Sequence, residues 1–137
     1  MKLVSKNPAP ARETRMDKLR RERAGSLTMQ TRFPAVLRLR IDLSFGGTYP
    51  DKPASQMLEL HPAARAFFTY PCPYANCDGC FDLGVDVSAA IKAESRCSRG
   101  VLQCGGERTR GHAVRGPCEL QLHYEIKPVY ETRNSKS

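Results

Sequence analysis

Tryptophan is absent from this 137-residue chain, and aromatic residues make up only 7% of it. Platforms that stack single-stranded bases are built from such side chains, so the shortage argues against one, with Tyr74 and Phe81 the nearest candidates. Long apolar runs are missing as well. Residues 1–25 hold no run of seven apolar residues, so no secretory h-region is expected there, and no stretch is long enough to span a bilayer as a helix. A cytoplasmic, reducing setting is therefore the expected compartment.

Several catalytic signatures are also lacking. A zinc deaminase requires H-x-E followed by P-C-x-x-C, but His61 is followed by Pro62 and Ala63, and Pro71-Cys72 reaches Cys77 at the wrong spacing. Gly46-Gly47 has no Gly-Lys-Ser or Gly-Lys-Thr behind it and reads as a turn. Cys77-Asp78-Gly79-Cys80 has the thioredoxin spacing without a helix expected at its end, and Asp78, Asp82 and Asp86 do not form a calcium loop. Nothing in the pattern supports Cys97 with His61 as nucleophile and base. No catalytic residue and no small-molecule substrate can be named, and a thiol- or metal-dependent enzyme is only the third reading.

What the chain has is six cysteines, all between Cys72 and Cys118, spaced C-x4-C-x2-C-x16-C-x6-C-x13-C. Clustered thiolates can converge on one cation with tetrahedral geometry, and zinc is the usual occupant where no redox chemistry is required. Their even number keeps three disulfides as an alternative. Within the cluster, Cys72, Cys77, Cys104 and Cys118 are the expected ligands, with Cys80 and His112 as substitutes and Cys97 as a free thiol. Cys72 and Cys77 share a Pro- and Gly-containing turn, and Cys104 and Cys118 are expected opposite one another on a hairpin with its tip near Gly111. Two ligands from a knuckle and two from a hairpin resemble a zinc ribbon over about a third of the chain. The resemblance implies a structural zinc, but the usual ribbon has paired C-x2-C knuckles, whereas Cys104 and Cys118 are thirteen residues apart.

The charge is equally uneven. Residues 1–40 carry eleven Lys and Arg against three acidic residues, while residues 41–137 balance at eleven of each, so the whole net charge of +8 lies in the first part. Such an arm attracts polyanions without choosing among sequences. Arg15, Lys18, Arg20, Arg21 and Arg23, with Arg108, Arg110 and Arg115 on the hairpin, are the candidate contacts to nucleic-acid phosphates. The alternative is a zinc-stabilised adaptor that docks on an acidic protein partner, the arm being a solvated segment.

Periodicity then organises the chain. Residues 1–34 read as a flexible, largely disordered basic arm with a short helix over 14–24, capped by Thr14, ended by Gly25 and marginal unless it packs on a partner. Residues 26–34 read as a linker. A single domain is expected over 35–130, followed by a frayed tail at 131–137. Leu37, Leu39, Ile41, Leu43 and Phe45 alternate with polar residues, as do Cys118, Leu120, Leu122, Tyr124 and Ile126, and each set reads as a half-buried strand. Shorter strands are expected at 57–60, 67–70 and 101–104, and one helix over 87–94 capped by Asp86. The expected class is α+β, a small one-faced antiparallel sheet with a single helix and a zinc-ribbon-like cysteine site.

Overall fold

In a computed structural model of the chain, residues 14–46, 55–74, 76–110 and 114–131 are described. The first dozen residues, the loop after Gly46, the hairpin tip with His112 and all of the tail but Glu131 lie outside the described residues. In chain order the elements are α1 (Arg15–Ala24), α2 (Met29–Arg32), β1 (Val36–Gly46), β2 (Gln56–Leu60), β3 (Thr69–Pro71), β4 (Cys80–Asp82), α3 (Gly84–Lys92), β5 (Ser98–Gln103), β6 (Glu107–Arg110), β7 (Val114–Pro117) and β8 (Gln121–Tyr130). The protein is mixed α+β, with a four-stranded antiparallel sheet in the order β2-β1-β8-β5 and two small hairpins, β3-β4 and β6-β7.

The alternating residues drive this sheet together. Leu39, Ile41, Leu43 and Phe45 of β1 and Leu122, Tyr124 and Ile126 of β8 are buried on one face, continued beyond β8 by Leu120 and Cys118. Removing each aliphatic side chain from water stabilises the fold by about 1.5–3 kcal/mol. The opposite face is polar, and there an ion-pair chain runs from Arg99 through Glu125 and Lys127 to Asp42 and Arg40. These groups are well exposed, so the chain orders the surface more than it stabilises the fold.

Leu37 departs from the alternation. The register against β8 shifts between Val36 and Arg38, so Val36 turns into the core at 3% exposure and Leu37 faces solvent at 47%. A β-bulge at the start of a strand inverts the sidedness of the residues before it.

Helical structure also exceeds expectation: beside the helices expected over 14–24 and 87–94, the described residues hold a third, and two of the three precede the sheet. Thr14 caps α1 through a capping box with Asp17, and Leu19 is buried at 5% exposure. The contact that a marginal helix needs is supplied by the protein's own body. Residues 26–34, read as a linker, hold α2, and Met29 enters the core at 1% exposure. Backbone bonds from Met29, Gln30 and Ala66 to Ala64, Pro62 and Leu27 tie this segment down. A lone methionine between polar residues has no period, so neither pattern could reveal it.

Asp86 does not cap α3. The N-cap position is Leu83, and the Asp86 carboxylate accepts a 2.8 Å hydrogen bond from the Tyr124 hydroxyl, which pins the helix to β8. Tyr124 lies over its cross-strand partner Gly100, where any Cβ would collide with the ring. Gly100→Val should therefore displace Tyr124 and lower the stability to urea by about 1–3 kcal/mol; an unchanged unfolding midpoint would contradict this account.

Candidate metal centre

The centre is assembled where two hairpins meet at one end of the sheet. β3 and β4 pair through Thr69↔Asp82, Tyr70↔Phe81 and Pro71↔Cys80, and the turn between them is closed by the Cys72 N–H donating to the Gly79 carbonyl at 3.0 Å. This turn carries Cys72 and Cys77. It is joined edge-on to β6: Cys77 bridges Arg108, the Asp78 N–H donates to Glu107, and the Thr109 N–H donates to Asn76. The Asp78 carboxylate accepts from the Glu107 N–H at 2.7 Å.

Cys104 and Cys118 come from the longer ribbon. The β5-β8 ladder ends at Gln103↔Gln121, and one unbroken register leads into β6-β7 at Glu107↔Pro117. In the gap the Cys104 N–H donates to Leu120 and the Cys118 N–H to Gly106. Cys104 and Cys118 are thus diagonal across the ribbon and not opposite, because the register pairs Arg110 with Val114 and Glu107 with Pro117. A diagonal pair still shares one face.

The four sulfurs converge. The Sγ atoms of Cys72, Cys77, Cys104 and Cys118 all lie within 4.8 Å of one another, with Cys72 to Cys118 at 3.8 Å and Cys77 to Cys104 at 3.5 Å. All four residues are buried, at 1–4% exposure, inside the hydrophobic core. The separations are far beyond the roughly 2.05 Å of a disulfide, and the six cysteines are free. They match the edge of a sulfur tetrahedron, about 3.8 Å for metal–sulfur bonds of about 2.3 Å. Four buried cysteines so placed could hold a metal ion.

Backbone donors complete the arrangement. In Cys77-Asp78-Gly79 and again in Cys104-Gly105-Gly106 the glycine N–H points at the sulfur two residues earlier, at 3.3 and 3.4 Å. Gly79 and Gly106 pack against each other so closely that a Cβ on either would run into the other's backbone. This C-x-G repeat is present in the sequence and marks the site better than the C-x2-C of Cys77 and Cys80.

Burial raises the thiol pKa of Cys72, and that of Cys104 to about 12. Burial opposes ionisation of Cys77 too, but the Gly79 N–H and the thiols of Cys104, Cys72 and Cys118 outweigh it, and its pKa falls. A cation entering the site must therefore displace protons held by Cys72 and Cys104.

Two cations lie beside the cysteine turn and its neighbours. The Arg15 guanidinium, reaching down from α1, donates to the carbonyls of Cys77 at 2.5 Å, Gly79 at 2.9 Å and Cys72 at 3.2 Å. The Arg108 guanidinium lies over the Tyr74 ring, 4.0 Å from its centroid.

The remaining candidates are placed elsewhere. Cys80 ends up on β4, half-buried and outside the sulfur cluster; burial raises its pKa although Arg15 and Lys18 pull the other way. Cys97 is exposed. Lys18, Arg20, Arg21 and Arg23 are exposed on α1, where Arg20 pairs with Asp17 at 3.1 Å and Arg23 lies 5.6 Å over Phe67. Arg110 and Arg115 lie on β6 and β7. Tyr74 and Phe81 are buried at 9% and 1% exposure and offer no face to a base.

Fold and site together define an α+β domain with a buried four-cysteine centre able to hold a metal ion. Searches against protein-family models, curated proteins and solved structures give no match. Among the described residues no helix is long and apolar enough to cross a membrane.

Substitution separates ligands from bystanders. Serine at Cys72, Cys77, Cys104 or Cys118 should each remove the thiolate-to-metal charge-transfer band in a cobalt(II) titration, whereas Cys80→Ser and Cys97→Ser should keep it. Loss of the band in Cys80→Ser would reassign the ligand set.

Proposed function

We propose that this is a non-enzymatic domain stapled by one structural zinc ion on Cys72, Cys77, Cys104 and Cys118, and that its basic N-terminal segment contacts nucleic-acid phosphates. The observation that carries the first part is the set of four Sγ atoms within 4.8 Å of one another in the core. Thiolate ligands in a tetrahedral arrangement favour zinc among divalent ions, and four protein ligands leave no open position for water, as in structural sites. Cysteines packed merely as small hydrophobes have no need of glycine N–H donors aimed at sulfur, which stabilise thiolates. A chain with one modest core gains from such a staple.

The nucleic-acid reading rests on charge. All of the net +8 falls in residues 1–40, and α1 carries Lys18, Arg20 and Arg21 exposed to solvent. Arg15 and Arg108, which face the cysteine turn and Tyr74, leave the phosphate-contacting set. Binding of this kind is electrostatic, salt-sensitive and weakly selective for sequence.

Metal analysis of protein purified without chelator should find one zinc per chain, with four thiols protected until the metal is stripped. No zinc and six reactive thiols would overturn the staple. For the second part, Lys18→Ala, Arg20→Ala and Arg21→Ala combined should weaken binding to unrelated duplexes alike and flatten the salt dependence by about two to three in log–log slope. An unchanged slope would refute phosphate contact through α1, and a protein partner retained through nuclease and high salt would move the reading to an adaptor.

A further inference from the structure

The Arg15 guanidinium is the main polar tie between α1 and the rest of the protein, and all three of its acceptors belong to the cysteine turn. It donates to the carbonyls of Cys72, Cys77 and Gly79; Cys72 and Cys77 are themselves two of the sulfur donors, and Gly79 gives its N–H to Cys77 Sγ. These carbonyls converge on one point in the turn that is wound around the sulfurs. Among the described residues, the helix's apolar contribution is the single buried Leu19, and Arg23 lies over Phe67. Ten residues with so thin an apolar stripe do not keep a helix in water by themselves.

We infer that docking of α1 is gated by the metal: the zinc-loaded turn is the receptor for Arg15, and loss of the metal releases the basic helix from the body. The inference rests on the zinc reading above and adds what the metal controls. The physical effect is geometric: without the metal the turn loses the sulfur-centred restraint on the residues whose carbonyls Arg15 holds, so three charge-assisted hydrogen bonds are weakened together. The sheet core, formed by β1, β8 and β5, does not include α1 and needs no contact from it. The charge that contacts polyanions therefore has two arrangements, a docked helix with Arg15 turned inward and a released segment with Arg15 free.

Hydrogen exchange on the full chain, read by mass spectrometry with and without zinc, tests this. Stripping the metal should speed exchange of the 15–24 amides by about tenfold or more while β1 and β8 amides stay protected. Arg15→Gln, checked to hold one zinc per chain, should open the same amides with the metal still bound, and Arg15→Lys should restore little, because an ammonium lacks the two-nitrogen fork that reaches Cys77 and Gly79 from one nitrogen and Cys72 from the other. The gate is overturned if 15–24 stays protected without zinc, if β1 and β8 open together with it, or if Arg15→Gln leaves its exchange unchanged in the zinc-loaded protein. A chain that takes up no zinc overturns the staple itself and the gate with it, so the two failures are told apart by metal content.

Discussion

The register of β8 is the constraint on which the rest of the structure depends. This strand pairs with β1 over its whole length and with β5 over its first half. Its buried row, begun before the strand by Cys118 and Leu120, continues through Leu122, Tyr124 and Ile126. A slip of one residue would turn that row to solvent and carry Cys118 away from the other sulfurs, so one register serves both the core and the centre. The same register sets where Cys104 lies, because the pairing that ends with β5-β8 resumes unshifted in β6-β7. Only the Cys72–Gly79 turn arrives independently, and it is held by edge bonds to β6 rather than by the sheet.

A buried cluster of sulfurs poses an electrostatic problem that hydrophobic packing does not. Ionised together in an apolar interior they would repel one another strongly, and burial indeed pushes the pKa of Cys72 and Cys104 upward. With a dication at the centre the sign of the local problem changes, since the remaining charge is −2 and backbone donors and cations become favourable neighbours. Gly79 and Gly106 supply the first, and Arg15, on the carbonyls of the cysteine turn, the second. Glycine N–H groups aimed at sulfur make physical sense in a metal-bound site and little in an ordinary apolar core, which favours a metal over buried thiols.

Much of this was legible in the residues, and the failures share a cause. The two long strands were found because period-2 alternation reports burial directly, and the cysteine cluster because thiols have few reasons to gather. Leu37 faces solvent although the alternation puts it in the core, because a bulge leaves no mark in alternation. Asp86 resembled a cap in the sequence, yet its partner is Tyr124, thirty-eight residues away. Met29 enters the core as a single residue, and one residue has no period. In each case the missing information was a tertiary partner, which local patterning does not contain.

Arg15 shows the same limit at the functional level. By composition it is one of eleven basic residues in the first forty and indistinguishable from Lys18 or Arg20. Its position at the first residue of α1, on the side that carries Leu19, aims it at the cysteine turn, whereas Arg20 and Arg21 fall on the far side of the same helix. A helical period therefore divides the basic segment into an inward anchor and an outward charged surface within seven residues. Net charge governs how strongly such a segment is drawn to a polyanion, but the helix face decides which charges are available. If α1 melts, that division disappears. A segment that is helical when docked and unstructured when free can thus present two different charge patterns from one sequence, and the free energy separating them is set at the cysteine turn, not within the arm.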